Sequence, residues 1–169
     1  MSVSSITEAT QYLSFKLGEE IFAINVAQVR EILDVIAITK VPQTPDYMQG
    51  VINLRGSVVP VMDMRLKFGM PATQRSVNTC IIVMEVTQDG ETTVLGSLAD
   101  SVQEVLDLEP DQIEPAPRIG ANLRRDFIKG MGKHDDRFII ILDIDQIFNN
   151  SDLEVIAEAV AGEEQDEAA

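Results

Sequence analysis

One block of this chain occurs twice. Residues 47–64 align with residues 127–144 without a gap, so that Gly50 meets Gly130 and Asp63 meets Asp143. The apolar positions between them repeat: Tyr47 with Phe127, Met48 with Ile128, Val51 with Met131, Val58-Val59 with Phe138-Ile139, and Val61-Met62 with Ile141-Leu142. Upstream lies a second matched block, Val29-Arg-Glu-Ile-Leu33 in one copy and Val102-Gln-Glu-Val-Leu106 in the other. A hairpin, a Val-x-Glu-(Ile/Val)-Leu segment and a glycine-led pair of strands therefore recur in the same order. Repetition of an ordered unit is the mark of duplicated supersecondary structure, and this unit predicts two similar small β-barrels related by a pseudo-twofold axis. A barrel of about 60 residues is marginal alone, so the two are expected to share a core. The seam between them would leave a groove, a preferred location for binding.

Local pattern supplies the parts. Residues 12–17 and 20–24 read as strands of a hairpin turning at Gly18-Glu19. Asn25 reads as the N-cap of a short helix over 26–33, where Val26, Val29 and Leu33 recur at helical spacing. A strand over 36–41 is ended by Pro42. Residues 50–54 and 57–62 are β-rich runs about Arg55-Gly56, a tight turn in which Gly56 supplies a positive φ. Pro60 cannot donate to a ladder and predicts an edge strand or a bulge. Residues 67–78 have little pattern. Two strands at 79–87 and 92–99 flank Asp89-Gly90, a strong hairpin signal. Residues 107–122, with three prolines, read as mostly loop, 138–142 as a buried strand after the polar turn His134-Asp-Asp136, and 151–160 as a capped helix. The organisation expected is a flexible N-terminus (1–11), one domain of two barrel halves (12–150), and a C-terminal helix with an acidic tail (151–169).

Charge narrows the function. The net charge is −15, and residues 151–169 hold seven acidic side chains and no basic one. No Lys/Arg cluster exceeds Arg124-Arg125. Nucleic acid and anionic membranes both require a basic stripe, so neither is an expected partner. A single cysteine excludes an internal disulfide framework and a thiolate zinc cage. The first eleven residues lack the apolar stretch of a signal peptide and no run has the roughly 18 apolar residues of a membrane span, which makes a cytoplasmic location the expectation.

Reactive side chains are few. Cys80 lies in Thr-Cys-Ile-Ile-Val and reads as a small buried hydrophobe. His134, the only histidine, lies beside Asp135-Asp136; a metal-dependent enzyme built on these groups is conceivable chemically, but no further ligands stand at fixed spacing and a solvated turn is the simpler reading. Asp63, Asp100 and Asp143 are read as capping or turn residues. No phosphate-cradling glycine loop or nucleophile elbow occurs. No catalytic residue, metal or cofactor is therefore expected. Arg55 differs in kind, because a hairpin turn projects its five donors outward and no acidic residue lies within three positions.

The stretch Gly50-Val-Ile-Asn-Leu-Arg-Gly-Ser-Val-Val-Pro-Val-Met-Asp-Met-Arg65 closely resembles the signature of the CheW-type chemotaxis adaptors and of the regulatory domain of the kinase CheA. The likeness extends from about Tyr12 to Asn150 and includes Val29-Arg-Glu-Ile32, Asp100-Ser-Val-Gln-Glu-Val105 and residues 127–143. It implies an all-β chain with a few short helices, folded as two intertwined five-stranded SH3-like barrels. It also implies a scaffold without catalysis, monomeric alone, that joins the cytoplasmic tips of chemoreceptors to the histidine kinase CheA within membrane-receptor arrays. By matching residues, Val29, Glu31 and Arg55 would lie on the recognition surface, with Gly50 shaping the nearby loop and Asn53, Leu54 and Val102 as further members. The same fold would serve a pilus-motility or other non-flagellar receptor pathway equally well. The chain is too short for a full kinase or for an adaptor with a fused receiver domain, and the acidic tail matches no motif of the family.

Overall fold

The computed structural model describes residues 10–88, 90–115, 127–134 and 136–148, together with Glu154 and Glu158. Its strands are β1 (Thr10–Leu17), β2 (Glu20–Asn25), β3 (Val29–Asp34), β4 (Met48–Leu54), β5 (Ser57–Asp63), β6 (Cys80–Gln88), β7 (Glu91–Ala99), β8 (Ser101–Leu108), β9 (Ile113–Glu114), β10 (Ile128–His134) and β11 (Arg137–Leu142). Two single-turn helices, α1 (Met64–Lys67) and α2 (Ile144–Ile147), follow β5 and β11. The strands form a five-stranded sheet in the order β3-β6-β7-β5-β4 and a six-stranded sheet in the order β8-β1-β2-β11-β10-β9.

The repeat is real, but a repeat is not a subdomain. The hairpin β1-β2 of the first copy joins β8 to β11 of the second, through antiparallel pairing of β1 with β8 and parallel pairing of β2 with β11. The hairpin β6-β7 of the second copy joins β3 to β5 of the first in the same way. The two halves have thus exchanged hairpins, and neither sheet can form from one repeat.

Burial on both faces explains the continuous apolar runs. In β6, Ile81 and Val83 point into a cluster with Ile52, Val59, Val61 and Leu98 inside the five-stranded sheet, while Ile82, Met84 and Val86 point into a larger core. In β11, Ile139 and Ile141 pack with Tyr12, Ala23, Leu106 and Leu108 inside the six-stranded sheet, while Ile140 and Leu142 enter the same larger core. A strand covered on both faces has no polar side, so its sequence does not alternate. The shared core also takes Phe68 and Phe148, which end α1 and α2 at matching positions. Phe68 lies tilted against Phe127, with ring centroids 6.0 Å apart, and Phe148 against Tyr47 at 6.4 Å, so each copy's helix packs on the other copy's strand entry.

The repeated glycines and aspartates mark symmetric joints. The N–H of Asp63 donates to the carbonyl of Tyr47 at 2.7 Å, and that of Asp143 to the carbonyl of Phe127 at 2.7 Å. Beyond β3, Thr39 exchanges two 2.9 Å backbone bonds with Val51; the matching residue Met131 pairs with Glu114 in β9. Each crossing passes directly over a glycine. A Cβ at Gly50 would lie 2.2 Å from the Thr39 oxygen, and one at Gly130 would lie 2.9 Å from the Glu114 oxygen and 2.6 Å from Ile113.

Several local expectations change. Residues 26–33 are not a helix: Val26–Gln28 is a 3₁₀ turn, capped by the Asn25 side chain, and Val29 onward is β3. Arg30, Ile32 and Asp34 are exposed and the residues between them half-buried, a period of two, and pairing with β6 overrides a helical spacing that the β-branched residues never favoured. The expected strand over 36–41 reduces to the single bridge at Thr39. Within 107–122, β8 continues to Leu108, Pro110–Gln112 is a 3₁₀ turn and β9 follows. Pro60 lies neither on an edge strand nor at the bulge, which falls between Met48 and Gly50; it is tolerated because β7 pairs only with Val61, Met62 and Asp63. Glu154 and Glu158 are helical and exposed. The rest of the expected C-terminal helix, the tail, residues 1–9 and Asp89 lie outside the described residues.

A substitution pair tests the closure. Gly50→Ala is expected to lower the unfolding free energy by about 2–4 kcal/mol, because both the φ of 145° and the approach of a backbone oxygen oppose a Cβ. Gly56→Ala, with open space around it and a φ of 86°, should cost only about 1 kcal/mol. Equal losses in urea unfolding would dismiss the close crossing as the reason for Gly50.

Candidate functional site

Leu54 and Ser57 pair directly, leaving Arg55-Gly56 as a two-residue loop with φ of 52° and 86°. Two successive positive φ values define the turn whose twist suits a hairpin. Gly56 accepts this conformation freely, whereas Arg55 bears a cost of order 1 kcal/mol. Asn53 fixes the turn by accepting the Gly56 N–H on Oδ1 at 2.9 Å. The result places a guanidinium, 73% exposed, at the tip of the β4-β5 hairpin.

Arg55 is not unneutralised, as the absence of nearby acids in the sequence suggested. Its Nη1 and Nη2 donate to the two carboxylate oxygens of Glu31 at 2.6 and 2.7 Å, a bidentate pair. β3 and β4 are opposite edges of the five-stranded sheet; the pair therefore spans the gap where the sheet curls back on itself, beside the Thr39–Val51 bridge. Hydrogen bonding from Arg55, with its charge, holds the Glu31 carboxyl below the usual glutamate range, and the same contact raises Arg55. Two of five guanidinium donors are engaged, so the pair orients Arg55 without covering it.

The remaining expected site residues separate by role. Val29 and Val102 are half-buried at matching positions of β3 and β8, and both pack on the shared core. Leu54 is half-buried against the interior of the five-stranded sheet. Gly50 is buried beneath the Thr39 crossing. The structure thus brings together Glu31, Arg55 and Asn53, with Val29 on the same strand as Glu31, and puts Val102 in the other sheet. Two exposed apolar side chains along this edge were missed, Ile32 at 44% and Ile36 at 41% exposure. They fell within an expected helix and an expected strand; the β3 register turns Ile32 outward, and Ile36 lies in the irregular chain that follows β3.

The matching place in the six-stranded sheet carries different chemistry. Glu104, the counterpart of Glu31, faces His134 at 3.6 Å, and a cavity of about 150 Å³ opens between Ser14, Glu104, His134, Arg137 and Ile139. Lys133 pairs with Glu114 at 3.4 Å. Among the described residues no group of three or more His, Cys, Asp or Glu side chains could hold a metal ion.

The aspartates work as joints. Asp63, 1% exposed, accepts the N–H of Arg65 at the start of α1 and both the N–H and hydroxyl of Thr73, tying down the segment after α1. Asp143 caps α2 through its backbone oxygen, and burial pushes its carboxyl up. Asp100 accepts from Gly18 and Arg65. Cys80 is buried, and burial first, then Asp34, pushes its thiol up, away from nucleophilic character.

Comparison with known proteins follows the same outline. The chemotaxis protein CheW of Klebsiella aerogenes is 33% identical over 150 residues, covering 89% of this chain and 88% of that protein. The CheW of Rhizobium meliloti is 33% identical over 144 residues, covering 85% and 90% respectively. The crystal structure of the scaffolding protein TtCheW from Thermoanaerobacter tengcongensis superimposes with a TM-score of 0.75 at 32% identity, covering 85% of this chain and 90% of that one. The family model described as the CheW-like domain matches residues 11–152, the whole of the paired-sheet body, and the chain belongs to that family of chemotaxis scaffolds.

Proposed function

We propose that this chain is a non-catalytic adaptor that couples the cytoplasmic tips of chemoreceptors to the histidine kinase CheA, with the Arg55–Glu31 pair at the centre of its recognition surface. The observation that carries the reading is the exposed guanidinium held in a fixed orientation by a bidentate carboxylate at the rim of a closed sheet. A receptor tip is a helical hairpin, and a helix docks by laying an apolar stripe in a groove while its polar rim meets a fixed charge. Val29, Ile32 and Ile36 supply apolar surface along β3 and the chain that leaves it. The remaining Arg55 donors supply the polar contact, with little further ordering to lose on binding. No helix among the described residues is long and apolar enough to cross a membrane; the adaptor reaches membrane arrays through the receptors it binds.

Arg55→Asp should abolish co-purification with cytoplasmic receptor fragments while circular dichroism keeps the β-sheet signature. Undiminished receptor binding by that variant would remove Arg55 from the surface. With receptor fragment and kinase both present, the native chain should enhance kinase autophosphorylation, and any two of the three components should not.

The pair itself has a titration signature. Because the folded Glu31 carboxyl is depressed, its contribution is complete above the unfolded glutamate value of about 4.3 and is lost as pH falls through the lower folded value. The Glu31 side-chain carboxyl carbon should titrate by NMR below that value in the native chain and return towards it in Arg55→Ala. An identical midpoint in both proteins would mean that the pair does not persist in solution.

A further inference from the structure

The two sheets end in matching positions filled by different side chains. Strand registers fix the match: Leu33 pairs with Ile81 and Leu106 with Tyr12, so that two residues further along, Val83 corresponds to Ser14. In the repeated hairpin, Leu54, Ser57 and Val59 correspond to His134, Arg137 and Ile139. The end of the five-stranded sheet is apolar throughout. Val59 and Val83 are buried there, and Leu33, Leu54 and Val94 pack on the same interior cluster. In the six-stranded sheet Ser14 stands for Val83 and His134 for Leu54, and a cavity of about 150 Å³ opens over Ile21, Leu106 and Ile139. The Ser14 hydroxyl adds no unmet polar group to it. It donates to the Glu104 carbonyl at 2.8 Å and accepts the Glu104 N–H at 3.1 Å, inside the bulge between Leu13 and Phe15.

The cavity therefore has an apolar floor, and its rim carries both signs of charge. Glu104, with its side chain 63% exposed, stands on the rim, as does Arg137. The two do not pair with each other, and no ion pair or side-chain hydrogen bond among the described residues engages Arg137. We propose that this cavity binds a small apolar α-amino acid, with its side chain on Ile21, Leu106 and Ile139, its carboxylate on Arg137 and its ammonium on Glu104. An apolar cavity of this volume takes about six heavy atoms, enough for a short branched side chain whose charged groups stay at the rim. A guanidinium offers a carboxylate two parallel donors. A simple carboxylate would leave Glu104 repelling it, and a simple amine would meet Arg137; only a zwitterion answers both charges. The site lies in the other sheet from the Arg55–Glu31 pair, so its fate and that of the adaptor reading are decided separately.

NMR titration of the full chain tests the site through the shifts of Ile21, Leu106 and Ile139, with Val59 and Val94 at the closed end of the other sheet as the control. Valine should move the first three and not the last two, with a dissociation constant on the order of 1 mM. 3-Methylbutanoate, which lacks only the ammonium, and isobutylamine, which lacks only the carboxylate, should each bind about fivefold more weakly or worse. Arg137→Gln should weaken valine by about fivefold or more and should not weaken isobutylamine. His134→Leu, which puts back the side chain found at the closed end, should abolish the valine shifts. Unmoved floor residues at about 50 mM valine, or equal affinity for the three probes, would overturn the proposal. Should either variant fail to fold, the three-probe series on the native chain still decides.

Discussion

Each sheet of this protein must bury two apolar faces, and exchange of hairpins between the repeats is what makes that possible. One face closes around a small interior cluster, six fully or nearly fully buried side chains in each case. The other can be covered only by the second sheet, and because β1-β2 and β6-β7 are each inserted into the ladder of the opposite repeat, separation of the two repeats requires breaking strand pairing as well as apolar contact. A unit of this size is marginal alone. Interleaving makes the two marginal units one cooperative body, and the central aromatics Tyr47, Phe68, Phe127 and Phe148 alternate between the copies across the join.

This topology explains which repeated residues were legible. Gly50 with Gly130 and Asp63 with Asp143 recur because each serves a backbone requirement: the glycines lie beneath a crossing strand, and the aspartates start a helix immediately after a strand. The crossing leaves no room for a Cβ, and Asp63 uses its carboxylate to hold Arg65 and Thr73, so these survive as identities; Asp143 caps α2 through its backbone oxygen, which does not by itself require an aspartate. The shared core is legible only as pattern, since Val, Ile, Leu and Met substitute for one another in it. What the strand pattern hid was the exchange itself, which only the family resemblance, with its intertwined barrels, implied. A repeat read in order suggests one barrel per copy, and nothing local indicates that β3 pairs with β6 instead of with its own hairpin. The misread helix over 26–33 has the same origin, because Val26, Val29 and Leu33 at helical spacing take their real meaning from a partner strand some fifty positions later in the chain.

The candidate site was half legible for a related reason. Arg55-Gly56 announced a turn with an outward arginine, and the turn formed as expected. Glu31 was reached only through resemblance, since its contact with Arg55 spans two edges of a sheet whose order could not be read. Once the edges meet, the pair is seen to have a structural role as well as an exposed face. Val102, grouped with these residues by family likeness, instead occupies the position equivalent to Val29 in the other sheet, which places it on a second surface related to the first by the pseudo-twofold axis.

That relation separates what duplication preserves from what it releases. Both sheets close with a glutamate on the third strand of the unit facing a basic side chain at the glycine-led hairpin, Glu31 with Arg55 and Glu104 with His134. Arginine offers two parallel donors, at 2.6 and 2.7 Å from Glu31, whereas His134 faces Glu104 with one ring nitrogen at 3.6 Å. The first strap is consequently the geometrically fixed one. A surface charge used for recognition gains most when its orientation is set before the partner arrives, because the entropy of ordering a long side chain is then already spent in folding. The strained turn at Arg55 fits the same logic: a positive φ is retained at an arginine where a small residue would be easier, and the bidentate bond to Glu31 is the contact that offsets it. Closing the sheet and presenting the charge are therefore one interaction, which is why the proposed recognition surface is centred on this corner of the duplicated fold and not on its counterpart.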